Sequence, residues 1–489
     1  MLKPLSADKW SYATAAHLLN RAGFGGAPKD IQKLASLGLD GAVSSLVDFE
    51  RTPDPTPNPE WAKPDPDRAE RLKRIRQGTP EERKEAQREE RRTQGEHLLA
   101  LRHWWLRRMV EGPRPLQEKL VLFWHGHFAT SIQKVRDAYL MWRQNETFRQ
   151  HAAGNWFSLV TAMAKDPAML IWLDQAQSRA EHPNENFARE LMELFALGEG
   201  HYTEKDVTEA ARALTGWSLE RGREEFVYRQ RLHDTGVKTV LGRTGNLTGS
   251  DVIDIIASQP QAARFITKKM WTFFAAENPP APLADALAAE LRKSNGGFKP
   301  FLRTMFRSEE FYADNVVRQQ VKSPVQWLVG SVRLLETELP PPFICVNMLR
   351  LMGQDLFAPP NVKGWDGGTA WITTNSLLNR YNLAGYLVFG ENPLSMMPQG
   401  QNRPFAKARL ERLAENKPKI NAERLFTTME RQRKDALILA LENRFFQSAI
   451  RDKQERILRE YLDGRGILDD GDILHAVRLM MATPDYQLC

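Results

Sequence analysis

Two histidines one residue apart are the first candidates for chemistry in this chain, because segment 123–128 reads FWHGHF. Side chains two residues apart point about 200° apart on a continuous helix, but Gly126 is a typical place for a helix to end. If the helix ends there, His125 and His127 can converge as two nitrogen ligands, or as a base with its partner. Buried, hydrogen-bonded histidines are the alternative interpretation.

A row of polar side chains follows on the helical pattern of residues 185–197. Its members recur at i, i+3, i+4 and i+7 and so share one helix face: Asn186, Arg189, Glu190 and Glu193. Such a row can present Glu ligands to a metal ion, and it also occurs as a set of structural ion pairs. In a catalytic site we expect a glutamate of this row to be the general base, while Arg189 or Arg21 neutralises developing negative charge.

A histidine followed directly by an aspartate, His233 and Asp234, forms the third candidate. The pair falls in the polar turn of a predicted hairpin. There it can supply a nitrogen and an oxygen to one metal ion, or an imidazole beside the carboxylate that orients it. Aspartate is also frequent in turns for backbone reasons alone, so a structural role is the alternative.

Segment 357–371 predicts an ordered loop, because it reads FAPPNVKGWDGGTAW and concentrates proline, glycine and tryptophan in a short span. Trp365 and Trp371 can form a stacking surface for a sugar ring or another flat ligand. Asn361 and Lys363 would then supply polar contacts to the same substrate. The alternative is that the tryptophans fill a gap between helices.

The donor types limit the metal chemistry. The chain contains 2 Cys, so a disulfide framework and a thiolate-rich metal site are both excluded. The predicted ligands are imidazoles and carboxylates, which suit a divalent ion such as Zn, Mn or Fe: His125, His127, Glu190, His233 and Asp234. The leading hypothesis is therefore a metal-assisted hydrolase that acts on a polar or carbohydrate-like substrate.

A second hypothesis uses the same residues without catalysis. Under it, the chain is a non-catalytic helical module that binds a glycan, a cell-surface component or a partner protein. The histidines and carboxylates then form a buried hydrogen-bond network. The charged segment 68–96 and the loop 357–371 become the contact surfaces. The sequence leaves open whether the chain is an enzyme.

The elements that must position these groups are predicted to be helices. Apolar residues recur at helical spacing through most of the chain, so the predicted fold class is mainly α, a large multi-helix assembly. The exception is a short inserted β-hairpin near 225–242, where residues 226–228 and 239–241 flank a polar turn. The candidate residues between 125 and 234 must then meet around one solvent-reachable hollow between helices.

Four segments are predicted along the 489 residues. N-terminal helices (1–50) precede an excursion that is first Pro-rich and then a charged, solvated helix (51–96). The main helical body with the candidate motifs follows (97–400). A C-terminal helical segment (401–489) is expected to pack back on that body.

Charge and hydropathy bear on partners and location. The formal net charge of +7 is small for this length, and acidic and basic residues are interspersed, so a nucleic-acid partner is disfavoured. No apolar run approaches the roughly 20 residues of a transmembrane helix. The first residues contain no apolar export segment, which predicts a cytoplasmic protein.

Taken in order along the chain, the motifs resemble a bacterial family catalogued as domain of unknown function 1800. The shared segments are HLLNRAGFG (17–25), FWHGHF (123–128), NENFAREL (184–191), YT (202–203), DV (206–207), LTGW (214–217), HD (233–234) and NVKGW (361–365). The resemblance implies a mostly helical fold of about this length and proteins that are often exported, which makes the periplasm an alternative location. It also implies a sulfatase-like partner encoded nearby, but it implies no catalytic residues.

Overall fold

The fold of this chain is mainly α-helical, which confirms the predicted class. A computed structural model describes residues 2–220, 225–391, 420–447 and 450–489. Its α-helices are α1 (Tyr12–Ala22), α2 (Pro28–Ser36), α3 (Gly38–Val47), α4 (Arg68–Gln77), α5 (Pro80–Glu111), α6 (Pro115–His127), α7 (Ile132–Val135), α8 (Ala138–Gln150), α9 (Trp156–Ala164), α10 (Pro167–Trp172), α11 (Glu185–Glu190), α12 (Glu204–Ala213), α13 (Gly249–Ala257), α14 (Pro260–Phe274), α15 (Ala281–Lys293), α16 (Phe298–Arg307), α17 (Pro324–Leu334), α18 (Pro342–Leu351) and α19 (Thr374–Phe389), followed by Ala422–Leu425, Thr428–Gln432, Lys434–Phe445, Asp452–Asp463 and Asp470–Ala482.

Shorter helical elements complete the described part of the chain. A π-helical stretch, Leu191–Ala196, continues α11 directly. Single 3-10 turns occupy Ala7–Lys9, Phe49–Arg51, Gln175–Gln177, Gln230–Leu232, Glu309–Tyr312, Gly368–Trp371 and Asp485–Gln487. The π-helical stretch becomes important below, because two of its carbonyl groups bind side chains of the candidate site.

Two small antiparallel hairpins interrupt the helices between α12 and α13. Their strands, paired in order, are β1 (Trp217–Leu219) with β2 (Phe226–Tyr228), and β3 (Lys238–Val240) with β4 (Arg243–Gly245). The predicted pairing of 226–228 with 239–241 is therefore wrong, because each of these strands pairs with a nearer neighbour in sequence. In the second hairpin, Leu241 and Gly242 both have positive φ, which is the turn geometry that a two-residue β-hairpin loop requires.

Side-chain caps fix where several helices begin. At α12 the Thr203 hydroxyl accepts a hydrogen bond from the Asp206 amide (3.2 Å), while the Asp206 carboxylate accepts one from the Thr203 amide (2.9 Å). The same reciprocal arrangement begins α5 at Thr79 and α13 at Thr248. Each arrangement satisfies amides that the first helical turn leaves without an intrahelical partner.

Helix α6 lies in the interior of the helical body. Residues 116–125 and His127 are all buried, and the helix packs against α1, α3, α5 and α8. A helix that is buried on every side has no solvent face for its polar side chains. The polar residues of α6 must therefore find partners inside the protein, because an unpartnered buried polar group is costly.

Glu118 of α6 meets this requirement with an ion network that joins three helices. Its two carboxylate oxygens accept hydrogen bonds from Arg108 of α5 (2.9 Å), from Arg149 of α8 (2.7 and 2.9 Å) and from the Trp105 indole (2.9 Å). Burial alone would raise the pKa of Glu118, but the charges and hydrogen bonds of Arg149 and Arg108 lower it below its ordinary value. The network connects α6 to α5 and α8.

The described C-terminal residues contact the rest of the protein near Asn443 and at Cys489. Residues 401–419 and 448–449 of the predicted C-terminal segment lie outside the described residues. Within the remainder, the Tyr12 hydroxyl donates to the Asn443 carbonyl (3.2 Å) and the Cys489 amide donates to the Gln320 carbonyl (2.9 Å). Across the described ranges, no helix has the length and apolar character to cross a membrane.

Replacing Glu118 tests the network. We expect Glu118→Gln to lower the free energy of unfolding by about 3 kcal/mol, because two buried guanidinium groups lose the carboxylate that both of them bind. The matched control is Glu111→Gln, which breaks the exposed Arg107–Glu111 pair (3.0 Å) and should cost less than about 0.5 kcal/mol. Urea denaturation of both variants measures the difference, and equal effects would contradict a structural role for Glu118.

Candidate ligand-binding cleft

A cleft of about 410 Å³ opens between α6, α14, the beginning of α17 and the loop that follows α18. This volume lies within the range of small-molecule sites in proteins. Five aromatic side chains line the cleft: Phe123, Phe265, Phe273, Trp365 and Trp371. Four lysines and two carboxylates complete its charged lining: Lys119, Lys268, Lys269, Lys363, Glu277 and Asp366.

Helix periodicity explains which side chains the two long helices contribute. On α6, Lys119, Phe123 and His127 are four residues apart and therefore lie on one face of the helix. On α14, Phe265 and Lys269 share a face in the same way. Since each residue adds 1.5 Å along a helix, the α6 face from Lys119 to His127 spans about 12 Å. The cleft is thus long enough for one or two sugar-sized rings.

Two glycines of the loop that follows α18 lie in close contact with residues of α6 and of the segment after α14. Gly364 has φ +87°, and a Cβ atom there would lie 2.3 Å from the Gly126 carbonyl oxygen of α6. Gly368 has φ +53°, and a Cβ atom there would meet the Glu277 carboxylate. Only glycine fits these two close approaches without a shift of the neighbouring group. The contacts hold Trp365 in the lining of the cleft.

Lys119 is the least compensated charge in the cleft. Its side chain is 2% exposed, and among the described residues its ammonium group has contacts only with aromatic rings, at 5.1 Å from the Phe24 centroid and 5.5 Å from that of Phe273. Burial lowers the pKa of Lys119 to about 7, with Cys489 opposing this shift and the Arg21 charge adding to it. The ammonium group is therefore available to an anion in the cleft.

A second lysine of the cleft forms a pair with a buried histidine. The Lys269 Nζ lies 3.3 Å from His127 Nδ1 and donates a hydrogen bond to the Leu194 carbonyl (3.2 Å). The other ring nitrogen, Nε2, lies 2.9 Å from the Phe195 carbonyl, which can only accept, so Nε2 carries the proton and Nδ1 is an acceptor. Burial lowers the pKa of Lys269 to about 8, and burial followed by the Lys269 charge lowers that of His127 well below its usual value.

The π-helical stretch supplies both carbonyl partners of this pair. Leu194 and Phe195 lie within Leu191–Ala196, where the wider turn changes which backbone carbonyls have a helical partner. The Leu197 amide donates to the Met192 carbonyl, five residues back, at 2.7 Å. Lys269 and His127 therefore also satisfy the carboxyl end of this helix, where a cation is electrostatically favoured.

His125 lies on the other side of α6 from His127. The predicted helix end at Gly126 is wrong, because α6 continues through it to His127, so the two imidazoles diverge. His125 is buried, and its Nε2 accepts a hydrogen bond from the Phe357 amide (3.0 Å). Burial, followed by the Arg102 charge, lowers the pKa of His125 to about 3, so the ring is neutral.

The acidic row forms ion pairs and hydrogen bonds at the surface beside the cleft. Arg189 binds Glu204 through two hydrogen bonds (2.6 and 2.7 Å), and the Tyr202 hydroxyl donates to Glu193 (2.6 Å). Burial and then the Glu193 charge raise the pKa of Glu190, while Lys363 and Arg189 lower it. Glu190 is not among the residues that line the cleft.

The histidine–aspartate pair belongs to the hairpin region and not to the cleft. The His233 Nδ1 donates to the Thr215 carbonyl (3.1 Å). Asp234 binds Arg212 through two hydrogen bonds (2.7 and 3.2 Å) and accepts one from the Gly236 amide (2.8 Å). These contacts stabilise the connection between α12 and the second hairpin.

Arg21 is buried behind the cleft. Its guanidinium donates to the Val316 carbonyl (2.9 Å), to the Ala275 carbonyl and to the Gln320 side chain. Because Gln320 also lines the cleft, Arg21 acts on the site through that side chain and through its charge. It lies apart from Arg189, which is at the surface.

Three of the four predicted substrate contacts line the cleft: Lys363, Trp365 and Trp371. The fourth, Asn361, accepts a hydrogen bond from the Lys363 amide (2.8 Å) and so shapes the loop. The five predicted metal ligands do not form one group. Among the residues that the structure describes, no three His, Cys, Asp or Glu side chains are grouped as a metal ion requires.

Sequence reasoning missed the buried Lys119 and the half-buried Lys269. The signal for Lys119 was present, since it directly precedes the apolar stretch 120–124, in a helix whose residues 116–125 are all buried. Lys269 gave a weaker signal, because a lysine beside Lys268 on an amphipathic helix is ordinarily solvated. A charged residue within a helix that has no polar face is therefore the pattern to search for.

These observations define a mainly α-helical protein with a cleft that is lined by aromatic and lysine side chains. The chain matches the family model described as Protein of unknown function (DUF1800) over residues 17–488. It belongs to that family, which confirms the resemblance of its motifs. Comparisons with curated proteins and with solved structures gave no match.

Replacing His125 tests its structural role. We expect His125→Ala to lower the free energy of unfolding by about 2–4 kcal/mol, because it leaves a cavity and removes the acceptor of the buried Phe357 amide. The control is His201→Ala, an exposed histidine, which should change stability by less than about 0.5 kcal/mol. Chemical denaturation distinguishes them, and a His125→Ala protein as stable as the control would argue against this role.

Proposed function

We propose that this protein binds a small, ring-bearing polar ligand that carries an anionic group, and that the ligand occupies the cleft. The observation that carries the proposal is Lys119, a buried lysine of the cleft whose Nζ lies over two aromatic rings and which has no hydrogen bond or ion pair among the described residues. A buried charge without a counterion destabilises the folded protein. An anionic ligand supplies the missing charge.

The wider charge distribution of the cleft supports an anion. Of the charged groups in the lining, Lys268, Lys363, Glu277 and Asp366 are exposed, whereas Lys119 is buried and Lys269 is half-buried. The interior therefore has an excess of positive charge. Low-polarity surroundings strengthen the attraction between such a lysine and a carboxylate, phosphate or sulfate group.

The aromatic lining supports a ring. Trp365 and Trp371 stand with three phenylalanines around a volume of about 410 Å³. Aromatic faces pack well against the apolar face of a sugar or against another flat ring, while amide and hydroxyl groups fix its orientation. Gln320, Gln326 and Ser323 lie in the same lining and can serve as such groups. A carbohydrate-like acid combines both requirements.

Metal-assisted hydrolysis was the other function predicted from the sequence. It needs three or four donors around one ion, and the described residues contain no such group. The second sequence hypothesis, a helical module that binds a glycan-like ligand, requires only the cleft. We therefore propose binding as the function and propose no hydrolytic step.

Isothermal titration calorimetry with small sugars tests the proposal. We expect glucuronate and glucose 6-phosphate to bind, and glucose to bind at least about tenfold more weakly, because only the first two offer an anion to Lys119. Lys119→Met should weaken binding of the anionic sugars at least about tenfold, whereas Lys268→Met, at the exposed rim, should change it less than about threefold. Equal binding of glucose, or no binding of either anionic sugar, would contradict the proposal.

The pH dependence of stability gives an independent test of the Lys119 charge. A lysine titrates near pH 10.4 in an unfolded chain, and burial lowers the pKa of Lys119 to about 7, so the unfolded chain binds this proton more tightly. Its destabilising effect is therefore complete below about pH 7 and disappears as the pH rises towards about 10. We expect Lys119→Met to raise Tm by roughly 1–3 °C at pH 6 and by less at pH 9, measured by calorimetry. A Lys119→Met effect that is the same at both pH values would show that this lysine is not a buried charge.

A further inference from the structure

Lys269 and His127 are in close contact in the cleft, and the proposed binding of an anion by Lys119 does not involve this contact. The Nζ of Lys269 faces the cleft, and among the described residues the only side chain within hydrogen-bond distance of it is the imidazole of His127 (3.3 Å). No carboxylate among the described residues forms an ion pair with Lys269. Its remaining polar contact is one carbonyl, that of Leu194.

We propose that Lys269 is a nucleophile that forms an imine with an aldehyde or ketone group of a ligand in the cleft, and that His127 accepts the proton released in this step. The inference rests on the proposed ligand-binding cleft, but it uses a different lysine from the one that would bind the anion. It adds a carbonyl group to the ligand chemistry, as in the open-chain form of a sugar or in a keto acid.

The step balances within the residues of the cleft. The lone pair of the neutral Lys269 Nζ forms a bond to the carbonyl carbon, and the electron pair of the carbonyl π bond moves to its oxygen. The proton that Nζ releases passes to His127 Nδ1, and His127 returns it to the carbonyl oxygen to give a carbinolamine. His127 then moves the second Nζ proton to the hydroxyl group in the same way, so that the C–O bond breaks, water leaves and the nitrogen lone pair forms the C=N bond of the imine. No oxidant, reductant or co-reactant is required.

The tautomer of His127 makes it suitable as this acceptor. Its Nε2–H is held by the Phe195 carbonyl, so the lone pair of Nδ1 is directed at Lys269. The ring is itself fixed by aromatic contacts with Phe128 (centroids 4.5 Å apart) and Phe123 (5.9 Å). Lys269 therefore meets an oriented base and does not depend on water for proton transfer.

The surroundings also favour the neutral amine that the step needs. Burial lowers the pKa of Lys269 to about 8, so an appreciable fraction is unprotonated near neutral pH. The Phe265 ring covers it, with the centroid 4.9 Å from Nζ. The other charged groups of the cleft lining are Lys119, Lys268, Lys363, Glu277 and Asp366. Desolvation beside other cations is a known means of activating a lysine nucleophile.

Lys269 also caps the π-helical stretch, and the experiment must separate this structural role from reactivity. Lys269→Arg keeps a cation that can reach the Leu194 carbonyl but removes the primary amine. Lys268 is the matched control, because it is the adjacent residue of the same helix, lines the same cleft and is exposed. Both lysines meet the same reagent in the same molecule.

Reductive trapping with a neutral aldehyde tests the inference. The full-length protein is incubated briefly at pH 7 with glyceraldehyde and sodium cyanoborohydride, and fragment-ion mass spectrometry assigns the reduced adduct to individual lysines. We expect Lys269 to be modified at least about tenfold more than Lys268, although it is less exposed, because burial lowers the pKa of Lys269 and His127 can accept its proton. In Lys269→Arg the adduct at Lys268 should be unchanged.

The same experiment on Lys119→Met separates the two proposals. Glyceraldehyde carries no charge, so Lys269 should still be trapped in this variant if its reactivity is intrinsic to the pair with His127. Trapping of Lys269 at or below the level of Lys268 in the folded wild-type protein would overturn the imine inference and leave anion binding untouched. Trapping without any preference for anionic sugars would instead support the imine and count against the proposed function.

Discussion

An ionised side chain that leaves water must find opposite charge or hydrogen-bond partners in the interior, and this requirement determines the polar architecture of the protein. Two consecutive residues of α6 show both outcomes. Glu118 is neutralised by Arg108 and Arg149, which join it to two other helices. Lys119, the next residue, lines the cleft and has two aromatic rings near its Nζ but no ion pair among the described residues. The first arrangement stabilises the fold, and the second leaves the cleft with an unmatched positive charge.

Local pattern was enough to predict the helical class of this fold, because amphipathic spacing and caps are properties of short stretches of sequence. It failed where a distant segment decides the local structure. Gly126 has the character of a helix end, yet α6 continues through it while Gly364, from a loop more than two hundred residues later, packs on its carbonyl. The hairpin strands were located near their true positions, but their pairing depended on turns that residue type alone did not specify.

The candidate site was predicted in part for the same reason. The loop with Trp365 and Trp371 was recognisable, since its glycines and prolines mark an ordered backbone within one segment. The pair of Lys269 and His127 could not be recognised, because its members are 142 residues apart in sequence and meet only when α6 packs near α14. Conversely, the predicted convergence of His233 with the other histidines had no local signal against it, although its carbonyl partner at Thr215 keeps it in the hairpin region.

The π-helical stretch Leu191–Ala196 has a consequence for how the family can vary. A π-helical turn accommodates one residue more than an α-helical turn, and a single-residue deletion there would restore regular winding without breaking the helix. Such a deletion would leave the flanking helical turns in register but would move the Leu194 and Phe195 carbonyls, which bind Lys269 and His127. A homologue without the extra residue would therefore keep the helix, but its lysine and histidine at these positions would lose their carbonyl partners.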